Sequence, residues 1–225
     1  MKKVFIIILL FLFIVSVIVY FFSFRFLEGM PQMMQLLLKT KHGSYVSIDK
    51  MNLYIPEAAI ASQDRRYYSN SGIDVISTIR AIYFTLVTGK RQGASTITEQ
   101  LVKNVYFSDV DNLKTDILTK ILAVVITTMY PKRTILEVYL NSIYYGKQNY
   151  GIGNASQYYF TTLPKDVTLA QSAYLLGLIN APSYLSAHKN EAIKTADLVI
   201  QEMLRNKYIS QTQASQATNE LNNFR

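Results

Sequence analysis

The chain has 225 residues, no cysteine, two histidines and a net charge of +8. The lack of cysteine excludes disulfides and thiol chemistry, and it suits an exported domain that does not rely on oxidative folding. The histidines, His42 and His188, are far apart in sequence, and no His/Cys/acid cluster has metal-ligand spacing.

Residues 4–24, Val4 to Phe24, run apolar or uncharged without a break. As a helix they would span about 30 Å, the thickness of a bilayer core. Lys2 and Lys3 precede the run and only Arg25 follows directly. That asymmetry predicts an inside N-terminus and an outside domain. A cleaved signal peptide is the alternative, but the run is long and no small-x-small cleavage site follows it. Residues 1–3 then form a cytoplasmic tail, 4–24 a transmembrane anchor, 25–45 a juxtamembrane stalk and 46–225 one folded domain. Removing Lys2, Lys3 and Arg25 leaves about +5 for the rest. A mildly basic domain suits anionic headgroups or pyrophosphates, or solubility alone. No nucleic-acid partner is expected.

Beyond the stalk the pattern is helical. Pro56 opens a helix through Tyr68, ended by the Asn70-Ser71-Gly72 turn. A second runs from Val75 to Val87. Its Ile79, Ile82, Tyr83, Phe84, Leu86 and Val87 exceed one core-facing stripe, so it either dips into a membrane or is buried. Thr96-Ile97-Thr98-Glu99 reads as a capping box that starts a helix carrying Gln100, Lys103 and Asn104. Residues 113–130 form a long amphipathic helix, and Pro131 starts another that ends near Gly146. Thr168 with Gln171 caps a very apolar helix, Leu169–Ile179, halted by Pro182. Two further helices follow, one with a capping box at Ser210 and Gln213. No apolar alternation is long enough for a sheet, so the fold class is all-α, with a short hairpin near 44–54 as the one exception.

Several segments occur in a set order: Gln63-Asp64-Arg65-Arg66-Tyr67-Tyr68 through Gly72-Ile73-Asp74, then Gly93 through Asn104, then Ile135 through Asn141 with Tyr144 and Gly146. Tyr150-Gly151-Ile152, Tyr158-Tyr159-Phe160 and Leu169-Ala170-Gln171 through Ser183 follow. Together, from about Ile55 to Ser183, the chain resembles the family 51 peptidoglycan glycosyltransferases. These are lipid II polymerases, found alone or as the N-terminal half of bifunctional penicillin-binding proteins. The resemblance implies a lysozyme-like, membrane-anchored domain on the cell-wall face of a bacterial membrane. It implies lipid II or a glycan strand as ligand, and it allows other cell-wall synthesis proteins as partners. No cofactor is certain, though the resemblance allows a divalent metal at the pyrophosphate. By position it implies substrate-binding roles for Asp64, Arg80, Ser95, Thr96, Thr98, Gln100, Lys103 and Asn104. Fixed cations and hydrogen-bond donors suit a pyrophosphate, as do free N–H groups at a helix start.

The departures concern proton transfer. The family carries a catalytic glutamate where this chain has Gln63, and a second where it has Thr119. A neutral amide is no general base, and that function is typically worth ~10²–10⁴ in rate. The family's basic pair becomes Thr115-Asp116, its histidine becomes Asn70, and its usual glutamine becomes Glu99. Glu99 is either a cap or a relocated carboxylate. Asp64 is expected to orient its neighbours, and Glu137 to build the fold. Two functions remain: a binding protein of wall synthesis with impaired catalysis, or an active polymerase. A glycan hydrolase also needs an acidic proton donor, so Gln63 argues against it as well.

Overall fold

The computed structural model describes residues 45–89, 93, 95–107 and 112–224, with Leu9, Leu10, Phe13 and Ser16. The chain forms two compact units, 1–37 and 38–225. The four described residues of the first unit are helical, and its Leu9, Leu10 and Phe13 are exposed. The expected membrane span, apart from these four residues, and the stalk before Tyr45 lie outside the described residues. Among the described residues no helix is long and apolar enough to cross a membrane.

The second unit is helical. A 3₁₀ turn, Ile48–Lys50, precedes α1 (Tyr54–Gln63), α2 (Val75–Thr88), α3 (Ile97–Tyr106), α4 (Leu113–Met129) and α5 (Lys132–Ser142). Then come α6 (Ile152–Phe160), α7 (Leu169–Leu178), α8 (Pro182–Leu185), α9 (Lys189–Arg205) and α10 (Gln211–Asn222). No strand forms among the described residues, and an isolated bridge pairs Tyr144 with Tyr150. The hairpin expected near 44–54 is therefore absent from its described part. Local turn bonds serve that backbone instead, from Lys50 N–H to Ser47 O (2.8 Å) and from Met51 N–H to Ile48 O (3.2 Å). Glu137 pins the segment by accepting from the Tyr45 hydroxyl, Ser47 Oγ and the Ile48 N–H. Its role is the fold-building one expected.

Helix starts follow local chemistry. The boxes Thr168/Gln171 and Ser210/Gln213 both close. Thr96 caps α3 by accepting from the Glu99 N–H at 3.0 Å. The second half of that box does not close, because the Glu99 carboxylate turns to Lys120. α1 ends at Gln63 instead of running to Tyr68. Asp64 leaves helical geometry there (φ −153°, ψ 77°), and its carboxylate serves the next loop. α5 stops at Ser142, short of Gly146, where Ile143 becomes extended. The short α6 and α8 were not expected from sequence. α2 is not a buried helix: Ile79, Tyr83, Leu86 and Val87 are each more than 60% exposed.

α7 is buried along nearly its whole length and packs against α1, α9 and α10. α3 packs on α4 and α5. The loop from Asp64 to Asp74 joins these groups at Gly72. Gly72 has φ +101°, and a Cβ there would lie 2.3 Å from the Ala123 carbonyl oxygen. Its N–H donates to Asn70 Oδ1 (3.0 Å), and its carbonyl accepts from Thr96 Oγ1 (2.6 Å). Gly72→Ala is expected to cost roughly 2–5 kcal/mol through strain and overpacking. A denaturation midpoint unchanged from wild type would contradict this account of the loop.

Candidate active site

Two clefts, of about 520 and 490 Å³, meet at Ser95, which lines both. The first takes Gln63 and Asp64 from the end of α1, Arg65, Ser77 and Arg80 from the following segment and α2, and Thr96 from the start of α3. The second takes Glu99, Gln100 and Lys103 from α3, Asp116, Thr119 and Lys120 from α4, and Thr78, Ala81, Thr85 and Leu86 from α2. Nine of the eleven residues expected at a site thus gather in the clefts. Thr98 is fully buried and Asn104 is exposed, and neither lines a cleft.

Gln63 is held by amides. Its Oε1 accepts from Gln100 Nε2 (3.2 Å), and Gln100 Oε1 accepts from the buried Tyr139 hydroxyl (2.8 Å). Gln63 Nε2 makes long contacts to Ser62 Oγ (3.4 Å) and Asn180 Oδ1 (3.5 Å). The chain from Tyr139 through Gln100 fixes the Gln63 carbonyl as an acceptor. It places no proton-accepting carboxylate there.

Asp64 is the buried hinge of the first cleft. Both its oxygens accept from Asn70 Nδ2 (2.9 and 3.0 Å), and Oδ2 also takes the Ile97 N–H at 3.3 Å. Asn70 Oδ1 in turn accepts from Lys132 Nζ (2.8 Å). Burial raises the Asp64 pKa against the lowering pull of Asn70, the Ile97 amide and Lys132. Asp74 caps α2 through the Ser77 N–H (2.9 Å) and pairs with Arg66 at 2.8 Å. Burial opposes its ionisation, but Arg66 and Ser77 outweigh that and hold its pKa below the usual carboxylate value. Both carboxylates are committed to structure. Arg80 reaches Ser77 Oγ (3.4 Å), and neither it nor Arg65 has a carboxylate partner among the described residues. Glu202 and Arg205 of α9 reach the same cleft, a contribution that sequence motifs did not signal.

The second cleft carries a crossed pattern of charge. On antiparallel α3 and α4, Glu99 meets Lys120 (2.7 Å) and Lys103 meets Asp116 (3.8 Å). Lys120 was missed from sequence. Glu99 needs it, since its side chain is only 3% exposed. Burial raises the Glu99 pKa, while Lys120 and the Thr96 N–H pull it down. Glu99 Oε1 has no hydrogen-bond partner, nor does Thr119 Oγ1 or Thr98 Oγ1. Thr115 closes the capping box of α4 with Asn112. Asp116 faces Lys103, and it reduces the positive charge available to a phosphate. Among the described residues no three histidine, aspartate or glutamate side chains converge. The residues therefore do not fit a metal held by protein ligands alone.

Lys120→Met leaves the Glu99 carboxylate buried without a counter-ion. The expected loss is about 1–3 kcal/mol at neutral pH, below the ~3–5 kcal/mol of fully buried pairs because Lys120 is 41% exposed. The loss should shrink as pH falls and Glu99 takes a proton, and Glu99→Gln in the same chain should restore most of it. A Lys120→Met protein as stable as wild type at neutral pH would show that the pair does not support the α3–α4 contact.

Comparison with known proteins agrees with this architecture. The transglycosylase family model matches residues 30–204. A monofunctional glycosyltransferase of Staphylococcus haemolyticus is 38% identical over 193 residues, covering 80% of this chain and 70% of that protein. One from Staphylococcus aureus (strain Newman) is 33% identical over 217 residues, covering 91% and 78%. Penicillin-binding protein 1A of Vibrio cholerae is 37% identical over 178 residues, which are 78% of this chain but only 22% of that longer protein. With a family match across most of its length and two monofunctional relatives matched over most of theirs, the chain belongs to the transglycosylase family.

Proposed function

We propose that this protein binds lipid II or nascent glycan at its paired clefts during cell-wall synthesis, and that it turns the ligand over slowly or not at all. The observation that carries this is Gln63. It sits in the first cleft with its carbonyl hydrogen-bonded to Gln100, where a base would have to stand. Arg65 and Arg80 offer charge and hydrogen-bond donors for a pyrophosphate. Lys103 adds a cation whose exposed partner, Asp116, is 3.8 Å away, a weak pair that a phosphate can displace.

The protein is anchored by residues 4–24 with the domain outside. Exposed apolar side chains on α2 and on α4 (Leu113, Ile117, Leu118) suit a surface resting against lipid. Protease added to intact protoplasts is expected to remove the domain, and full protection would reject that topology.

Arg80→Ala with Lys103→Ala is expected to weaken lipid II binding by at least tenfold while leaving the fold intact. Titration of fluorescent lipid II in detergent checks this. Equal affinity in wild type and variant, or none in either, would leave only a structural or protein-partner role.

A second reading has its own observation. Glu99 is a cleft-lining carboxylate with one oxygen unpartnered. On this reading it accepts the proton that Gln63 cannot, and the protein is a monofunctional glycosyltransferase joining lipid II into strands. Glu99→Gln would then abolish polymerisation. Polymerisation that survives Glu99→Gln excludes it.

A further inference from the structure

Lys120 occupies a position that no other cation of the clefts shares. Its side chain is 41% exposed and lines the second cleft, yet its ammonium is 2.7 Å from a carboxylate that is 3% exposed. Glu99 Oε1 has no hydrogen-bond partner, so apart from the weaker pull of the Thr96 N–H the buried charge rests on that one ammonium. An anion entering this cleft meets two lysines. Lys103 can leave the exposed Asp116 at little cost. Lys120 cannot leave Glu99 without stranding a buried charge, unless that charge is neutralised.

We propose that a phosphate-bearing anion in the second cleft draws Lys120 away from Glu99, and that Glu99 takes up a proton in exchange. The cleft then binds the anion and a proton together. This rests on reading the clefts as the ligand site, and it adds a coupling that the reading does not contain. Among the described residues, the charged groups facing Glu99 are Lys103 on its own helix, Asp116 and Lys120 on α4, and Asp64 after α1. α2 gives this cleft Thr78, Ala81, Thr85 and Leu86, none of them titratable. Once Lys120 turns to the anion, burial and the Asp64 charge both oppose ionisation of Glu99.

The sign follows by linkage. The pKa of Glu99 is higher in the complex than in the free protein. Anion affinity is therefore greatest below the free-protein value, falls as pH rises across the interval, and levels off above the value in the complex. If Lys120 bridged both groups at once, no proton would be taken up.

Calorimetric titration of the full chain with inorganic pyrophosphate, at one pH in buffers of different ionisation enthalpy, counts the protons. Those taken up by pyrophosphate itself are common to all variants. The wild type is expected to take up more protons than Glu99→Gln, by up to one per site. Glu99→Gln should bind about tenfold tighter at neutral pH, because its Lys120 is already released. Lys120→Gln should bind more weakly and without the extra proton, since no ammonium is left for the anion to draw away from Glu99. This second variant decides the matter should Glu99→Gln fail to fold. Binding with equal proton counts in wild type and variants would overturn the coupling while leaving the ligand site intact. No pyrophosphate binding by the wild type would overturn both.

Discussion

The Asp64 carboxylate is the point on which the clefts depend. It is 5% exposed and receives Asn70 from its own loop and the Ile97 N–H from the start of α3. Asn70 carries the connection on to Lys132 at the start of α5. One buried acid thus sets three elements: the end of α1, the loop to Gly72 and the start of α3. Its burial is unfavourable to the charged form, which is why it needs several donors at once. Gln63 precedes Asp64, so its place in the first cleft follows from where the acid pulls the chain out of its helix.

Around that frame neutral hydrogen-bonding groups line the first cleft, and its carboxylates are already partnered. Gln63 joins a line of neutral groups from Tyr139 through Gln100. Asp64 and Asp74 are consumed by structure, and Asp116 and Glu202 sit beside lysine and arginine. On the proposed reading this surface holds an anion better than it moves a proton. Glu99 is the exception, a buried carboxylate that lines the second cleft together with Thr119.

The sequence was most informative where the governing interactions are local. Thr168 with Gln171, Ser210 with Gln213 and the cap at Thr96 act within one helical turn, so spacing alone located them. The box at Thr96 failed in its second half because Glu99 met a stronger partner from another helix. Lys120 was invisible for the same reason, since it matters only once α3 and α4 lie antiparallel. Even so, Glu99 and Lys103, four apart, oppose Asp116 and Lys120, also four apart with the same order of signs, a pattern that the sequence contained and that antiparallel packing makes complementary. The hairpin near 44–54 was misread because Glu137, about 90 residues away, organises that backbone. The short α6 follows a glycine with φ +78° at Gly151 that carries no helix signal of its own. The exposure of α2 was half legible: its apolar excess was plain, but only the fold shows that this face is left uncovered among the described residues.

Glycan-strand formation from purified lipid II tests the central claim most directly. Wild type is run beside a variant carrying Gln63→Glu, Glu99→Gln and Thr119→Glu. Gln100 Nε2 already donates to position 63, and a rotated Asn180 amide could serve the second oxygen, so the new glutamate has partners waiting. Exchanging Glu99 as Thr119 becomes glutamate keeps one carboxylate beside Lys120. The expected result is little or no polymer from wild type and clear polymer from the variant. Polymer from wild type at a rate equal to the variant's would contradict the account.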